Sequence, residues 1–243
     1  MNNRKINSQD SLDFFSGGVP TGANFGLSLE IIRAISRMGD NHITDHFQVL
    51  CLIGLLSYFE AFCKDHFASL INIEPSLIEC LRRNGQETHI DAKYVSLFGA
   101  NIDRKIGFIL AEKYDFGTAQ KINSLYMALI RISPFSKDEC KAFSDLLLDR
   151  NLVVHHGGVF TLTYLEQTVS SVSIEQDAFW QSKRITQEYV AGAAEFVEGI
   201  AKKMQTASQK SLTQYVSDRG TKLSPARRQA LKFITMSGDL DDC

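Results

Sequence analysis

The feature that most constrains this fold is a long stripe of apolar residues between about Thr44 and Ile71. Apolar side chains recur there every three or four residues, which is the period of an α-helix with one buried face. The stripe consists of Val49, Leu52, Ile53, Leu56, Phe59, Cys63, Phe67 and Leu70. Pro75 predicts where the helix stops. The pattern therefore predicts one long helix with a single buried face.

The same periodicity predicts further helices at about 28–38, 118–132, 136–156 and 176–204, with two or three short helices within 76–116. Ser136 followed by Glu139 forms a capping-box pattern at the start of the third of these. Gly157 and Gly158 predict its end. Partial alternation over 159–174 allows a short β-hairpin after this helix. The expected fold class is therefore all-α, with that possible hairpin.

Three regions are expected along the 243 residues. Residues 1–26 are polar and glycine-containing, which predicts a flexible arm with Phe14 and Phe15 as a docking point. Residues 27–205 form the helical domain. Residues 206–243 form a basic tail, partly helical or disordered, in which Ser224 and Pro225 predict the start of one short helix.

Composition excludes several classes of protein. The formal net charge of −2 gives no overall basic field, so bound RNA needs a local patch or a surface formed by an oligomer. The five cysteines show no CxxC spacing, which favours reduced thiols over disulfides or zinc. No phosphate-binding glycine loop is present. The polar N-terminus and the lack of about 18 uninterrupted apolar residues predict a cytoplasmic protein without a membrane span.

Two charged residues fall on predicted apolar faces. At about 100° per residue, Arg150 lies within about 20° of the centre of the stripe begun by Phe143. Glu60 lies equally close to the centre of the stripe begun by Val49. Because a lone buried charge is unfavourable, the pattern predicts that Glu60 and Arg150 pair across a helix interface. The alternative is that one of them reaches solvent past its neighbours.

The residues from Asp149 to Gly158 read Asp-Arg-Asn-Leu-Val-Val-His-His-Gly-Gly. This RNxxxH pattern near a helix end, with Glu60 on an earlier Phe-rich helix, resembles the HEPN superfamily of ribonucleases. The resemblance covers about residues 40–205. It implies a small helical bundle that dimerises and brings two motifs into one cleft. It also implies metal-independent RNA cleavage, often by a toxin or an antiviral-defence effector with an antitoxin or regulatory partner.

The chemistry of these side chains suits RNA cleavage, in which the 2′-OH attacks the neighbouring phosphate. His155 would act as general base or acid, since a histidine titrates near neutral pH. Arg150 would stabilise charge on the phosphoryl oxygens, and Asn151 would orient the reacting group. Glu60 would hold Arg150, while His156 is a supporting residue and the likelier bystander. No cofactor or metal is expected.

The helical wheel sets a limit on this site. Arg150 and His155 lie about 140° apart on a straight helix, so they do not line one face. They converge only if the last turn is distorted or if a second subunit contributes, which favours a composite dimer cleft. Two histidines before two glycines are also what an ordinary helix end contains. The alternative function is therefore a non-catalytic HEPN-like module that binds RNA or a protein, and the basic tail is a further candidate for RNA contact.

Overall fold

The computed structural model describes residues 8–38, 44–168 and 181–236, and these ranges are mainly helical. The helices are α1 (Ser8–Leu12), α2 (Thr21–Arg37), α3 (Thr44–Ile73), α4 (Leu77–Arg83), α5 (Ala92–Phe98), α6 (Ile106–Ala111), α7 (Ala119–Ile130), α8 (Lys137–His156), α9 (Leu162–Thr168), α10 (Gln187–Asp218) and α11 (Pro225–Phe233). Within the described ranges there is no β-strand, only an isolated antiparallel bridge between Val159 and Ser182. The all-α prediction is confirmed, and the HEPN type stays a prediction.

The predicted central helix is present as α3, which ends at Ile73, two residues before Pro75. Its segment His46–Ile73 is also long and apolar enough to cross a membrane, judged by length and composition alone. In that segment, 44% of the most apolar window is buried inside the protein. Because the core helix of a soluble protein has the same properties, the cytoplasmic location stays a prediction.

The chain divides into two compact units. The first unit comprises Met1–Leu27, Phe59–Phe135 and Gly199–Cys243, and the second comprises Ser28–Tyr58 and Ser136–Glu198. The division differs from the three regions expected from the sequence, since each unit is assembled from separate stretches of the chain.

An aromatic cluster fills the core of the first unit. The ring of Phe67 makes edge contacts with Phe116 and Tyr126, at centroid distances of 5.4 Å and 5.6 Å. The hydroxyl of Tyr126 donates a hydrogen bond to the carbonyl of Cys63 (2.9 Å), which satisfies a polar group that is fully buried. Phe67 and Tyr126 therefore fix α3 against α7.

The N-terminal region is packed where the sequence predicted a flexible arm. Phe14 and Phe15 are only 2% and 1% exposed. The side-chain amide of Asn72 donates to the carbonyl of Phe14 (3.2 Å), and its oxygen accepts from the backbone N–H of Gly107 (2.7 Å). α2 begins at Thr21 rather than near residue 28, and its early residue Phe25 packs against Phe62 in the core. Residues 1–7 of the predicted arm lie outside the described residues.

The C-terminal helices extend further than the sequence predicted. α10 begins at Gln187 and continues past Met204 to Asp218. It continues because Gln205, Ser208 and Leu212 prolong its buried face at helical spacing. α11 begins after Ser224, whose hydroxyl accepts from the N–H of Arg227 (3.3 Å), as the N-cap prediction required. Residues 176–180 of the predicted helix and 237–243 of the predicted tail lie outside the described residues.

The predicted hairpin is wrong over residues 162–168, which form α9. The hydroxyl of Thr161 accepts from the N–H of Tyr164 (3.2 Å) and so caps the start of this helix. The consecutive side chains of Tyr164 and Leu165 are both buried and pack with Leu152 of α8. A strand would have directed those two side chains to opposite faces. Residues 169–174 of the predicted hairpin lie outside the described residues.

Candidate functional site in the second unit

The motif lies on α8, a helix with well-defined ends. At its start, the Ser136 hydroxyl accepts from the N–H of Glu139 (3.3 Å), and the Glu139 carboxylate accepts from the N–H of Ser136 (2.6 Å). At its end, Gly157 adopts a left-handed conformation with φ of 60°. The predicted capping box and the predicted glycine end are therefore both confirmed.

The four predicted site residues of α8 differ in exposure. Asn151, His155 and His156 are exposed, and Arg150 is half-buried. The rings of His155 and His156 lie 6.5 Å apart, measured between centroids. Among the described residues of the second unit, no side-chain hydrogen bond or ion pair engages any of these four side chains. Their polar atoms are therefore open to a ligand or to a second protein chain.

α8 is helical up to His156, so its last turn does not bring Arg150 and His155 together. Five residues at about 100° each leave these two side chains about 140° apart. Of the two routes to a shared site, distortion of the last turn is absent, and a contribution from a second chain is the route that stays open.

The predicted position of Arg150 on the packed face needs correction. The buried residues in the C-terminal half of α8 are Asp149, Leu152 and Val153, whereas Val154 is 44% exposed. The packed face is thus rotated by about 100° from the stripe predicted around Phe143. Arg150 lies at the edge of this face, which is why it is half-buried.

Glu60 lies on α3 and is half-buried. Burial, and secondly the negative charge of Glu60, raise the pKa of the Cys63 thiol well above its ordinary value. Glu60 belongs to the first unit and Arg150 to the second. The proposed ion pair between them therefore stays a prediction.

Asp149 is the residue that sequence reasoning missed. This carboxylate is 5% exposed and accepts hydrogen bonds from the hydroxyls of Tyr164 (2.5 Å) and Tyr189. The ammonium of Lys183 lies 3.0 Å from the same carboxylate. Asp149 thus connects α8 to α9, to the extended segment before α10, and to α10 itself. We call these four residues the Asp149 cluster.

The tyrosines of this cluster are held in their neutral, donating form. Burial raises the pKa of Tyr164 and of Tyr189, and the hydrogen bond to the negative Asp149 raises each pKa further. Lys183 also lies over the ring of Tyr189, 5.2 Å from its centroid. The cluster therefore places three donors on a buried charge, which is the condition for a stable buried carboxylate.

The two glycines after the motif do more than end α8. The carbonyl of Gly158 accepts from the N–H of Lys183 (2.9 Å), and the N–H of Phe160 donates to the carbonyl of Gln181 (3.1 Å). Gly158 has φ of 85°, and a Cβ there would lie 3.3 Å from the Lys183 carbonyl. The backbone thus attaches the loop after His156 to the segment that carries Lys183.

Three exposed apolar side chains lie close in sequence to the histidines. Val154, Val159 and Leu162 are 44%, 48% and 51% exposed. We call these three residues the apolar rim. Exposed apolar residues are common on folded proteins, and these three flank the two histidines along the chain.

Among the described residues, no group of three or more His, Cys, Asp or Glu side chains could hold a metal ion. No protein-family model, no curated protein and no solved structure matches this chain. The motif and the geometry of the second unit therefore provide the evidence for function.

Proposed function

We propose that this protein is a homodimeric, metal-independent endoribonuclease of the HEPN type. His155 acts as general base or acid, Arg150 stabilises the charge on the phosphate, and Asn151 positions the reacting group. The observation that carries the proposal is the open position of His155 at the end of α8, exposed and without a side-chain hydrogen bond among the described residues.

The exposed position of His155 suits proton transfer, because an exposed imidazole is accessible to both substrate and solvent. A histidine buried in the core would have argued against the proposal. Arg150 adds a guanidinium whose fork of N–H donors matches a phosphate, and no carboxylate among the described residues of the second unit neutralises it.

The dimer is part of the proposal because one chain does not complete the site. The helical path of α8 separates Arg150 from His155, so an arginine from one chain would act with a histidine from the other. The apolar rim supplies surface that a second copy would cover. A toxin or antiviral-defence role, with a regulatory protein as partner, is the biological context that the HEPN resemblance implies.

A non-catalytic binding module is the alternative function. The apolar rim favours it, because exposed apolar side chains beside an open arginine also suit recognition of a protein or of RNA without cleavage. In that case the same residues would bind RNA or a partner, and no product would form.

The first experiment incubates the purified protein with mixed RNA, with and without EDTA. The His155→Ala variant is compared with His156→Ala, a matched control, because both histidines are exposed and share the last turn of α8. We expect cleavage that survives EDTA, falls about 10²–10⁴-fold in His155→Ala, and changes little in His156→Ala. Equal activity in wild type and His155→Ala would contradict the assigned site, and RNA binding without cleavage would favour the alternative.

A second experiment tests whether the site is shared between chains. Arg150→Ala and His155→Ala proteins are each expected to be inactive, and the two are mixed under conditions that exchange subunits. In a mixed dimer, the intact arginine of one chain meets the intact histidine of the other, so part of the activity should return. Sites contained within one chain would stay inactive after mixing, which would contradict the composite cleft while leaving the nuclease proposal open.

A further inference from the structure

A groove with a volume of about 500 Å³ lies in the first unit, between the end of α10 and the start of α11. Its apolar part consists of Val216, Leu223 and Leu231, all half-buried. Lys222 and Arg228 also line it, and both are exposed. The volume lies within the range of about 300–1,000 Å³ that is typical of ligand pockets.

The two cations of this groove differ from their neighbour Arg227. The guanidinium of Arg227 lies 2.9 Å from the carboxylate of Asp103, so its charge already has a partner. Lys222 and Arg228 have no carboxylate within ion-pair distance among the described residues. The groove therefore combines an aliphatic floor with two positive charges that are available to an anionic ligand.

We infer that this groove binds an acidic peptide segment of another protein, with one aliphatic side chain of the peptide seated on its floor. Carboxylates on either side of that anchor would pair with Lys222 and Arg228. Recognition of acidic motifs by clustered basic side chains is a recurring mode of peptide binding. This surface lies outside the proposed RNA-cleaving site, and the inference does not depend on catalysis.

The composition of the groove favours a peptide over nucleic acid. Single-stranded RNA is usually held by aromatic rings on which its bases stack, together with a broad positive surface. No aromatic side chain is among the described residues that line the groove, and its three apolar side chains are aliphatic. An aliphatic floor stabilises a leucine or valine side chain, whereas it offers a base neither stacking nor hydrogen bonds.

The test uses the full chain and a fluorescein-labelled peptide, Gly-Asp-Leu-Asp-Asp-Gly, followed by fluorescence anisotropy. We expect a Kd of the order of 10–100 μM at low salt, weakening as salt is raised, because exposed charge pairs are screened. The double variant Lys222→Glu/Arg228→Glu should weaken binding at least 10-fold. A peptide with Ser in place of Leu should also bind at least 10-fold more weakly.

The matched control is Lys210→Glu/Lys232→Glu, which makes the same change of charge on α10 and α11, the two helices next to the groove. Both lysines are exposed and neither lines the groove. This control should retain binding within about 3-fold, and circular dichroism confirms that all variants keep their helices. Equal weakening in the control and in the groove variant would overturn the inference, because binding would then follow net charge alone.

The same assay tests two other possible occupants of the groove, which are RNA and a segment of this chain. If a labelled 12-nucleotide RNA loses more affinity than the peptide in the groove variant, the groove is a nucleic-acid site and the inference fails. The chain's own residues Asp239, Asp241 and Asp242 are also acidic. If changing these three to Asn tightens peptide binding about 10-fold or more, the groove serves this chain's own segment, and the proposed external partner is overturned.

Discussion

Asp149 in the second unit and His66 in the first unit are both deeply buried, and they differ in how their polar atoms are satisfied. In the second unit, Asp149 is 5% exposed and receives donors from three other elements. In the first unit, His66 is 1% exposed; its Nδ1 faces the hydroxyl of Thr21 at 3.4 Å, and its Nε2 has no hydrogen-bond partner among the residues that the structure describes. The buried carboxylate of Asp149 thus has a donor on each of its oxygens, whereas the buried ring of His66 has one nitrogen without a hydrogen bond in the described part of the chain.

The surroundings of the two side chains explain this difference. His66 lies between the rings of Phe62 and Tyr126, with centroids 5.5 Å and 6.1 Å away. In that apolar site, burial lowers the pKa of His66 to about 3, so the ring is neutral. Asp149 instead lies one residue before Arg150, where its donors connect the motif helix to the rest of its unit. We therefore expect Asp149 to maintain the shape of the candidate site. We expect His66 to make the free energy of unfolding depend on pH.

Removing the Asp149 carboxylate should have the largest effect. Asp149→Ala leaves two tyrosine hydroxyls and an ammonium without their acceptor, and we expect the free energy of unfolding to fall by about 3–5 kcal/mol. Asp149→Asn keeps one acceptor oxygen and should lose less, about 1–2 kcal/mol. Urea denaturation followed by circular dichroism measures both variants.

Asp145 provides a matched control for this change. It lies on the same helix and pairs with Lys141 (2.7 Å), but its side chain is 50% exposed. Because exposed ion pairs four residues apart contribute little, Asp145→Ala should change stability by less than about 0.5 kcal/mol. If Asp149→Ala were no worse than Asp145→Ala, the Asp149 cluster would not stabilise the second unit.

Lowering the pH should have the next largest effect, acting through His66. The unfolded chain binds a proton on His66 below about pH 6.5, whereas the folded chain does so only near pH 3. Stability from this residue is therefore present above pH 6.5 and is lost as the pH falls towards 3. Between pH 7 and pH 5, the free energy of unfolding should fall by about 2 kcal/mol from this group.

The His66→Phe variant isolates that contribution, because it keeps an aromatic ring beside Phe62 and Tyr126 but has no group to titrate. Carboxylates titrate in both proteins, so the quantity to compare is the difference between the two pH profiles of stability from urea denaturation. That difference should grow as the pH falls from 7 to 5. Profiles that run parallel would show that His66 does not lose a proton on folding.

Helix positions were largely predictable from the sequence, because local signals determine them. The stripe of α3, the Ser136 capping box and the Ser224–Pro225 start of α11 each depend on a few neighbouring residues. The ends that were missed depend on distant contacts. α10 continues past Met204 because its later residues are buried, and Phe14 packs because the side chain of Asn72 holds its carbonyl.

The candidate site was only partly predictable for the same reason. The exposure of His155 follows from its place in the last turn before a glycine, which is local. The burial of Asp149 depends on Tyr164, Lys183 and Tyr189, up to 40 residues away along the chain. A carboxylate on a helix is normally exposed, so nothing near Asp149 in sequence predicted that the packed face would rotate to include it.

The smallest predicted effect is a difference in stability between variants of the two tyrosines in the Asp149 cluster. Tyr164 is 8% exposed, whereas Tyr189 is half-buried and can be replaced by water more easily. Tyr164→Phe should therefore lower the free energy of unfolding by about 2 kcal/mol, which is within the usual range for a hydrogen bond to a charged group. Tyr189→Phe should lower it by about 1 kcal/mol, which is slightly below that range. Tyr58→Phe is the control, since Tyr58 is 44% exposed and should change stability by less than about 0.5 kcal/mol.

Combining each change with Asp149→Asn tests whether the losses come from the shared carboxylate. If the hydroxyls act through Asp149, the double variants should lose at least 0.5 kcal/mol less than the sum of the single changes. Additive losses would instead assign the effect of each hydroxyl to packing or solvation at its own position. In that case Asp149 would be a buried charge beside two tyrosines and not the centre of one hydrogen-bonded cluster, and its contrast with His66 would lose its basis.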